Sequence, residues 1–352
     1  MSYICTALGW ILDVFYRLVN NYGIAIILFT VFIKAVLLPL DIKQKKSMAK
    51  TQKIQPLLME VQKKYANDKE KLNQETMKIY QKYGINPMGG CLPMLIQFPI
   101  IIALYWVVKK PIIYLMGVSF SDTWRIAEAF NSWAQANMSS LPEALAKVVP
   151  VTYAKTMSQN TFGTYEISIA QQLFKNPEIL DHPFIQSWNS GLKGKLIDFS
   201  FFGLDLAEIP SLNAFLGIFV GRVSGITKAT VISWIIPVLS GVSSFLSSKF
   251  AMAQQGGKKE EPKVVAEADK PKQGDTAAGT MKSMSVMMPL FSAWFAFTLP
   301  AAGGLYWIVS NIIQIIQQVV VTKYLVPDVS AEVLEGDISN VKKGRKNRKK
   351  SK

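Results

Sequence analysis

Apolar residues run almost unbroken for close to twenty positions at several places in the chain, and between those runs the sequence turns abruptly polar. Five runs stand out: Tyr22 to Leu40, Leu92 to Val108, Ala229 to Leu246, Met284 to Leu299 and Gly303 to Val321. Each is near the roughly 20 residues that a helix needs to cross a bilayer. The pattern predicts an all-α, polytopic membrane protein with five transmembrane helices, at 22–40, 92–110, 229–248, 284–299 and 303–322. Leu212 to Val220 is about half the required length and closes on Arg222, so a re-entrant or interfacial helix is expected there. In residues 1–20, Trp10, Ile11, Val14, Phe15 and Leu18 recur at helical spacing, while Asp13 and Arg17 interrupt the apolar run. That reads as an amphipathic helix on the outer membrane face. With no basic n-region and no small-residue cleavage site, a cleaved signal peptide is not expected.

Residues 41–86 carry a different period. Ile54, Leu57, Leu58, Val61 and Tyr65 form one helical stripe, and after Asp68, a good N-cap, Leu72, Thr76, Ile79, Tyr80 and Tyr83 form another that Gly84 ends. Two antiparallel helices packed stripe to stripe would bury both, with a kink at Pro56. Their outer faces stay basic, through Lys43, Lys45, Lys46, Lys50, Lys53, Lys63 and Lys64. Such a hairpin is either a solvated spacer near anionic lipid or a platform for a partner or an entering chain.

Charge fixes an orientation. The 39 Lys and Arg against 24 Asp and Glu give a formal +15, but the excess is concentrated. It lies in residues 41–86, in the "KKEEPK" of the 249–283 linker, and in the terminal "KKGRKNRKKSK" of the 323–352 tail, with Arg345, Lys346, Arg348, Lys349 and Lys350. By the positive-inside tendency these three segments are cytoplasmic, the amino terminus is outside, and the nearly balanced 111–228 stretch is an extracytoplasmic insertion. Five spans satisfy all three segments and a sixth does not. The tail reads as a disordered block of like charge suited to ribosomal RNA or anionic lipid, and the linker from Gln254 to Gly279 also reads as disordered.

Chemistry is sparse. His182 is the sole histidine, and Cys5 and Cys91 are the only cysteines, expected at opposite membrane faces. No His/Cys metal set, Cys/His pair or Ser/His/Asp triad can be assembled, and neither phosphate-binding glycine motif occurs. No cofactor, no enzymatic reaction and no ATP-driven pumping are expected.

Polar residues inside the spans carry more. Lys34 interrupts "LFTVFIKAVLLPL", and a lysine at mid-span costs on the order of 3 kcal/mol on insertion scales. It lies roughly 9 Å of helix from the cytoplasmic end of its run, almost within snorkelling reach. Ser240, Ser243, Ser244 and Ser247 share one helical face; Ser310, Gln314 and Gln317 share another, with Asn311 and Gln318 beside them, and Gln97 adds an amide. Two readings stand: close helix packing with interhelical bridges, or the lining of a wet cavity. Pro99, Pro237 and Pro289 each free a backbone carbonyl within a span, which gives ordinary kinks or bendable helices.

Three blocks then resemble one family. "NPMGGCLPMLIQFPI" closely resembles the signature of the YidC/Oxa family of membrane protein insertases; "LPAAGGLYWIVSNIIQIIQQ" resembles its last two spans; "NYGIAIILFTVFIKAVLLPL" is similar to its first core span. The resemblance is to the bacterial form without a large amino-terminal outer domain, as in Gram-positive organisms. It implies insertion and folding of nascent membrane proteins through a hydrophilic groove open to the cytoplasm, without nucleotide hydrolysis. Under that implication the groove residues are Lys34, Gln97, Ser240, Ser243, Ser244, Ser247, Ser310, Asn311, Gln314 and Gln317, with Lys34 where the family commonly has arginine. Partners implied are nascent membrane proteins, the ribosome at the basic tail and hairpin, the Sec translocon and targeting machinery, and anionic lipids, with the protein acting as a monomer in the plasma membrane. The alternative is a secondary transporter or channel with Lys34 as an anion site, against which stand the odd number of spans and the lack of an internal repeat.

Overall fold

An apolar stripe needs something to cover it, and the first helix finds its cover far along the chain. The computed structural model describes residues 2–66, 68–85, 92–141, 159–221, 228–255, 287 and 290–321. Helices are α1 (Ser2–Val19), α2 (Tyr22–Lys64), α3 (Lys69–Lys82), α4 (Leu92–Lys109), α5 (Pro111–Tyr114), α6 (Thr123–Ala136), α7 (Gln159–Lys175), α8 (Pro183–Asn189), α9 (Leu212–Phe219), α10 (Lys228–Ser233), α11 (Ile235–Gln255), α12 (residues 290–298) and α13 (Ala301–Val320). A two-stranded hairpin, β1 (Ser200–Phe201) and β2 (Leu204–Asp205), pairs Ser200 with Asp205 and Phe201 with Leu204. Among the described residues three stretches are long and apolar enough to cross a membrane, Ser2–Val19, Tyr22–Ser47 and Val231–Ala251, with a shorter apolar helix over Gln97–Lys109. The "NPMGG" turn, Cys91, residues 256–286 of the linker and fourth run, and the tail from residue 322 lie outside the described residues.

The chain divides into two compact units, residues 1–33, 99–249 and 264–312 in one and 34–98, 250–263 and 313–352 in the other. In the first, the stretch between α4 and α9 folds as a small helical domain with its own core. α7 packs on α5 and α6, and α8 on α6. Ile126, Phe130, Ile167, Ile169, Leu173, Leu180, Ile185 and Leu192 have almost no exposure. α1 completes it. Cys5, Leu8, Gly9 and Leu12 are its buried stripe. A Cβ on Gly9 would stand 2.6 Å from the Tyr114 carbonyl oxygen, so only glycine permits that approach.

The domain sits where several long helices begin or end. Tyr22, at the start of α2, meets Phe199 edge-on at 4.8 Å, and the Asp198 amide donates to the Tyr16 hydroxyl at 2.9 Å. α4 runs straight into α5 through Lys110. The first amides of α13 have no intrahelical acceptor. Ala301 donates instead to the Glu208 carbonyl at 2.8 Å and Ala302 to that of Leu206 at 3.0 Å. Below this cap, α13 approaches α11 closely: a Cβ on Gly304 would lie 2.5 Å from Ile236. Small residues of this kind let membrane helices come within van der Waals reach of each other's backbones.

One carboxyl in the domain is buried outright. Glu166 on α7 is fully covered; Oε1 accepts the Ile113 amide at 2.9 Å, while Oε2 has no hydrogen-bond partner among the described residues. Burial pushes its pKa up to about 8, against the opposing pull of the Ile113 amide and the Lys110 charge.

The first core span and the first hairpin helix are one object. α2 continues for 43 residues without a break through Pro39 and Pro56. Asp68 caps α3, its carboxylate accepting the Lys71 amide at 3.0 Å, and the helix stops at Gly84. No residue of α3 is fully buried: Leu72, Thr76, Ile79, Tyr80 and Tyr83 are half-buried, whereas Ile54 of α2 is completely covered. Among the described residues of the two stripes, deep burial is reached only at Ile54.

Candidate functional site: polar side chains within apolar helices

The polar residues that interrupt the spans fall into two groups, one in each unit. In the first, α11 presents Ser240, Ser243, Ser244 and Ser247 along a single face because they stand 0, 3, 4 and 7 positions apart. All four are buried. α13 brings Asn311 to them. Its Nδ2 donates to Ser243 Oγ at 3.0 Å and to Ser244 Oγ at 2.8 Å, and the Ser243 hydroxyl donates onward to the Ser240 carbonyl at 2.9 Å. Asn311 is only 8% exposed. A carboxamide with both protons used is a satisfied interhelical bridge, the first of the two readings of these residues. Ser240 differs: it is wholly buried and its hydroxyl has no partner among the described residues. A dry interior penalises such a hydroxyl, whereas one water would satisfy it. Ser310, one residue before the bridge, is half-buried.

In the second unit, Lys34 is 9% exposed, and its backbone carbonyl accepts a hydrogen bond from Gln317 Nε2 at 3.3 Å. Gln317 and Gln97 are half-buried and Gln314 is exposed. The periodicity of α2 puts Asp41 and Lys45 on the stripe of Lys34, at offsets of 7 and 11, and the Asp41 carboxylate interacts electrostatically with both ammonium groups. Asp41 was not among the expected site residues; its signal in the sequence is the seven-residue spacing from Lys34. Thr30, in the first unit, was also missed. It is fully buried, and its hydroxyl is satisfied by the Ile26 carbonyl at 2.6 Å. Ser292 on α12, in the first unit, is another buried polar residue that stripe analysis of the other spans overlooked.

Of the basic residues expected to meet partners, Lys43, Lys46 and Lys64 are exposed and Lys45 and Lys50 half-buried. Lys45 Nζ has no hydrogen-bond partner among the described residues, and Lys64 Nζ lies 5.0 Å from the Tyr65 ring centroid. The side chains of Lys53 and Lys63, and all of Arg345, Lys346, Arg348, Lys349 and Lys350, fall outside the described residues. Among the described residues no group of His, Cys, Asp and Glu has the arrangement of a metal site.

Comparison with known proteins adds a lineage to this geometry. A model of the family described as 60Kd inner membrane protein matches residues 14–328. A protein of Caldanaerobacter subterraneus subsp. tengcongensis, named membrane protein insertase YidC, is 30% identical over 318 residues, covering 90% of this chain and 93% of its own. Proteins with the same name are more similar over shorter stretches. That of Fusobacterium nucleatum is 47% identical over 117 residues, or 32% of this chain and 57% of its own. That of Syntrophobacter fumaroxidans is 50% identical over 104 residues, 30% of this chain and only 19% of that relative.

Proposed function

We propose, since this chain belongs to the 60Kd inner membrane protein (YidC/Oxa) family, that it is a membrane protein insertase of the bacterial plasma membrane. It takes nascent membrane proteins, moves their polar outer segments across, and releases their apolar helices sideways into lipid. Burial of apolar surface drives the step, so no nucleotide is hydrolysed. The observation that carries this reading is the family match over nine-tenths of the chain, together with polar side chains buried in apolar helices.

The polar segment needs a wet path open to the cytoplasm. By the family resemblance, the side chains proposed for it are Lys34, Gln97, Gln314, Gln317, Ser240, Ser243, Ser244, Ser247, Ser310 and Asn311. The unpartnered Ser240 hydroxyl favours water nearby, and Lys34 supplies a positive charge for acidic residues of the passing segment. Five spans with the amino terminus outside put the α4–α9 domain on the outer face and α2's lysine-rich arm and the tail in the cytoplasm. Arm and tail then meet the ribosome and anionic lipid; the Sec translocon and targeting machinery are further candidate partners, and the protein works as a monomer. Reconstitution into vesicles with a single-span substrate tests the reading. Insertion above that into protein-free liposomes is expected, and equal insertion overturns it.

A further inference from the structure

The α4–α9 domain turns most of its large apolar side chains inward, but Phe202 is 91% exposed. It sits in the two-residue loop of the β1–β2 hairpin, where Phe202 has φ 48° and Gly203 φ 80°. Turns of this primed type favour Asn-Gly, because a residue with a bulky Cβ substituent is strained at positive φ. Here an aromatic ring occupies the strained position; among the described residues its ring contact is the edge of its chain neighbour Phe201, centroids 4.7 Å apart, and the rest of the ring stays exposed.

The hairpin's neighbours place it. Phe201 lies against Gly23, the second residue of α2, and β2 touches α10, within which the candidate span Val231–Ala251 begins. α9 follows at the same level. Its Phe215 contacts Trp234, in the turn between α10 and α11, at 5.4 Å and Phe297, near the end of α12, at 5.1 Å between ring centroids. That anchoring leaves Leu216, Phe219 and Val220 outward, on the i, i+3, i+4 face, with Phe219 78% and Val220 74% exposed. Beside them Val231, Ile232 and Ile235, at the head of the span, are exposed as well. Hydrocarbon covers the exposed flank of a membrane-crossing helix, and the apolar face of α9 and the hairpin tip continue that flank at its end.

We infer that Phe202, Phe219 and Val220 form a lipid-contact surface that holds the α4–α9 domain against the outer leaflet, the Phe202 ring entering the interfacial layer. The inference rests on the reading of α11 as a membrane span, and its test separates the two. Single nitroxide labels are placed at Phe202→Cys, Phe219→Cys and Val238→Cys in a Cys5→Ala, Cys91→Ser background, in phosphatidylethanolamine/phosphatidylglycerol proteoliposomes. Collision with oxygen and with a water-soluble nickel chelate is then measured at each site. At 202 and 219 oxygen collisions are expected to exceed chelate collisions, by less than at mid-span 238. Water-like collision at 202 and 219 with a lipid-like 238 overturns the inference alone, and water-like collision at all three overturns the span reading too. Low collision with both reagents at 202 and 219, with dipolar broadening between labels, assigns the surface to a second copy and also overturns it.

Discussion

Glu166→Gln should abolish a pH dependence of stability that the wild-type α4–α9 domain carries. The buried carboxyl has its pKa raised from an ordinary 4.5 to about 8, principally by desolvation. Below pH about 4.5 both the folded and unfolded forms hold the proton and its contribution is greatest. Between about 4.5 and 8 the unfolded chain releases the proton while the folded one retains it, so stability falls as pH rises, by about 1.4 kcal/mol per unit. Over the whole window the loss approaches about 5 kcal/mol, a ceiling that residual structure in the denatured state reduces. Lys110 opposes the shift but does not cancel it. Glutamine keeps an acceptor for the Ile113 amide and cannot ionise. The assay is urea unfolding of the domain in proteoliposomes, followed by fluorescence of Trp124, Trp133 and Trp188 at pH 5, 6, 7 and 8. Wild-type and variant stabilities should diverge with pH, the variant becoming the more stable towards pH 8. Parallel lines would refute the reasoning, because they would mean that Glu166 ionises as freely in the folded domain as in the open chain. Glu208, also raised by burial, adds a slope of the same sign to both proteins, so the difference isolates Glu166.

Three further outcomes are expected. Lys34→Ala should lower insertion of substrates with acidic outer segments in the vesicle assay, and Lys34→Arg should restore it; equal activity of all three removes the charge from the mechanism. Replacing Asn311 by Ala should cost about 1–3 kcal/mol, the span of two interhelical hydrogen bonds in a membrane. In a double-mutant cycle with Ser243→Ala and Ser244→Ala in bicelles, a coupling energy near zero would show that the three act independently. Deleting residues 342–352 should weaken ribosome co-sedimentation at physiological salt, and an unchanged pellet would remove the tail from that contact.

How much was legible follows from what each element depends on. The end of α3 was readable because an N-cap aspartate and a terminating glycine act locally. The serine face of α11 was readable because helical periodicity alone aligns it. Its partner was not: that Asn311, rather than Gln314, bridges Ser243 and Ser244 is decided by the rotation of α13 against α11. The run of α2 through Pro39 and Pro56 defeats a local rule, since proline there removes a backbone hydrogen bond yet does not end the helix. α1 shows a similar limit. Amphipathic spacing predicted a surface helix, and the structure gives its buried stripe a protein partner in the α4–α9 domain. That domain's fold depends on tertiary burial, most plainly at Glu166, where an ordinary-looking glutamate in a mixed helix becomes the interior acceptor for the Ile113 amide.

The hydrogen bond from the Asp198 amide to Tyr16 joins residues 182 positions apart, and it sets a clock on the protein's own birth. α1 is made first, yet nearly everything that covers Cys5, Leu8 and Leu12 is made later. At about 5–20 residues per second, roughly ten to forty seconds of synthesis separate the two halves of that contact. During the wait the helix has an apolar stripe and no later segment of its own chain to lay it on. Its amphipathic stripe is therefore made well before its protein cover, and the contact closes only once synthesis has passed residue 198.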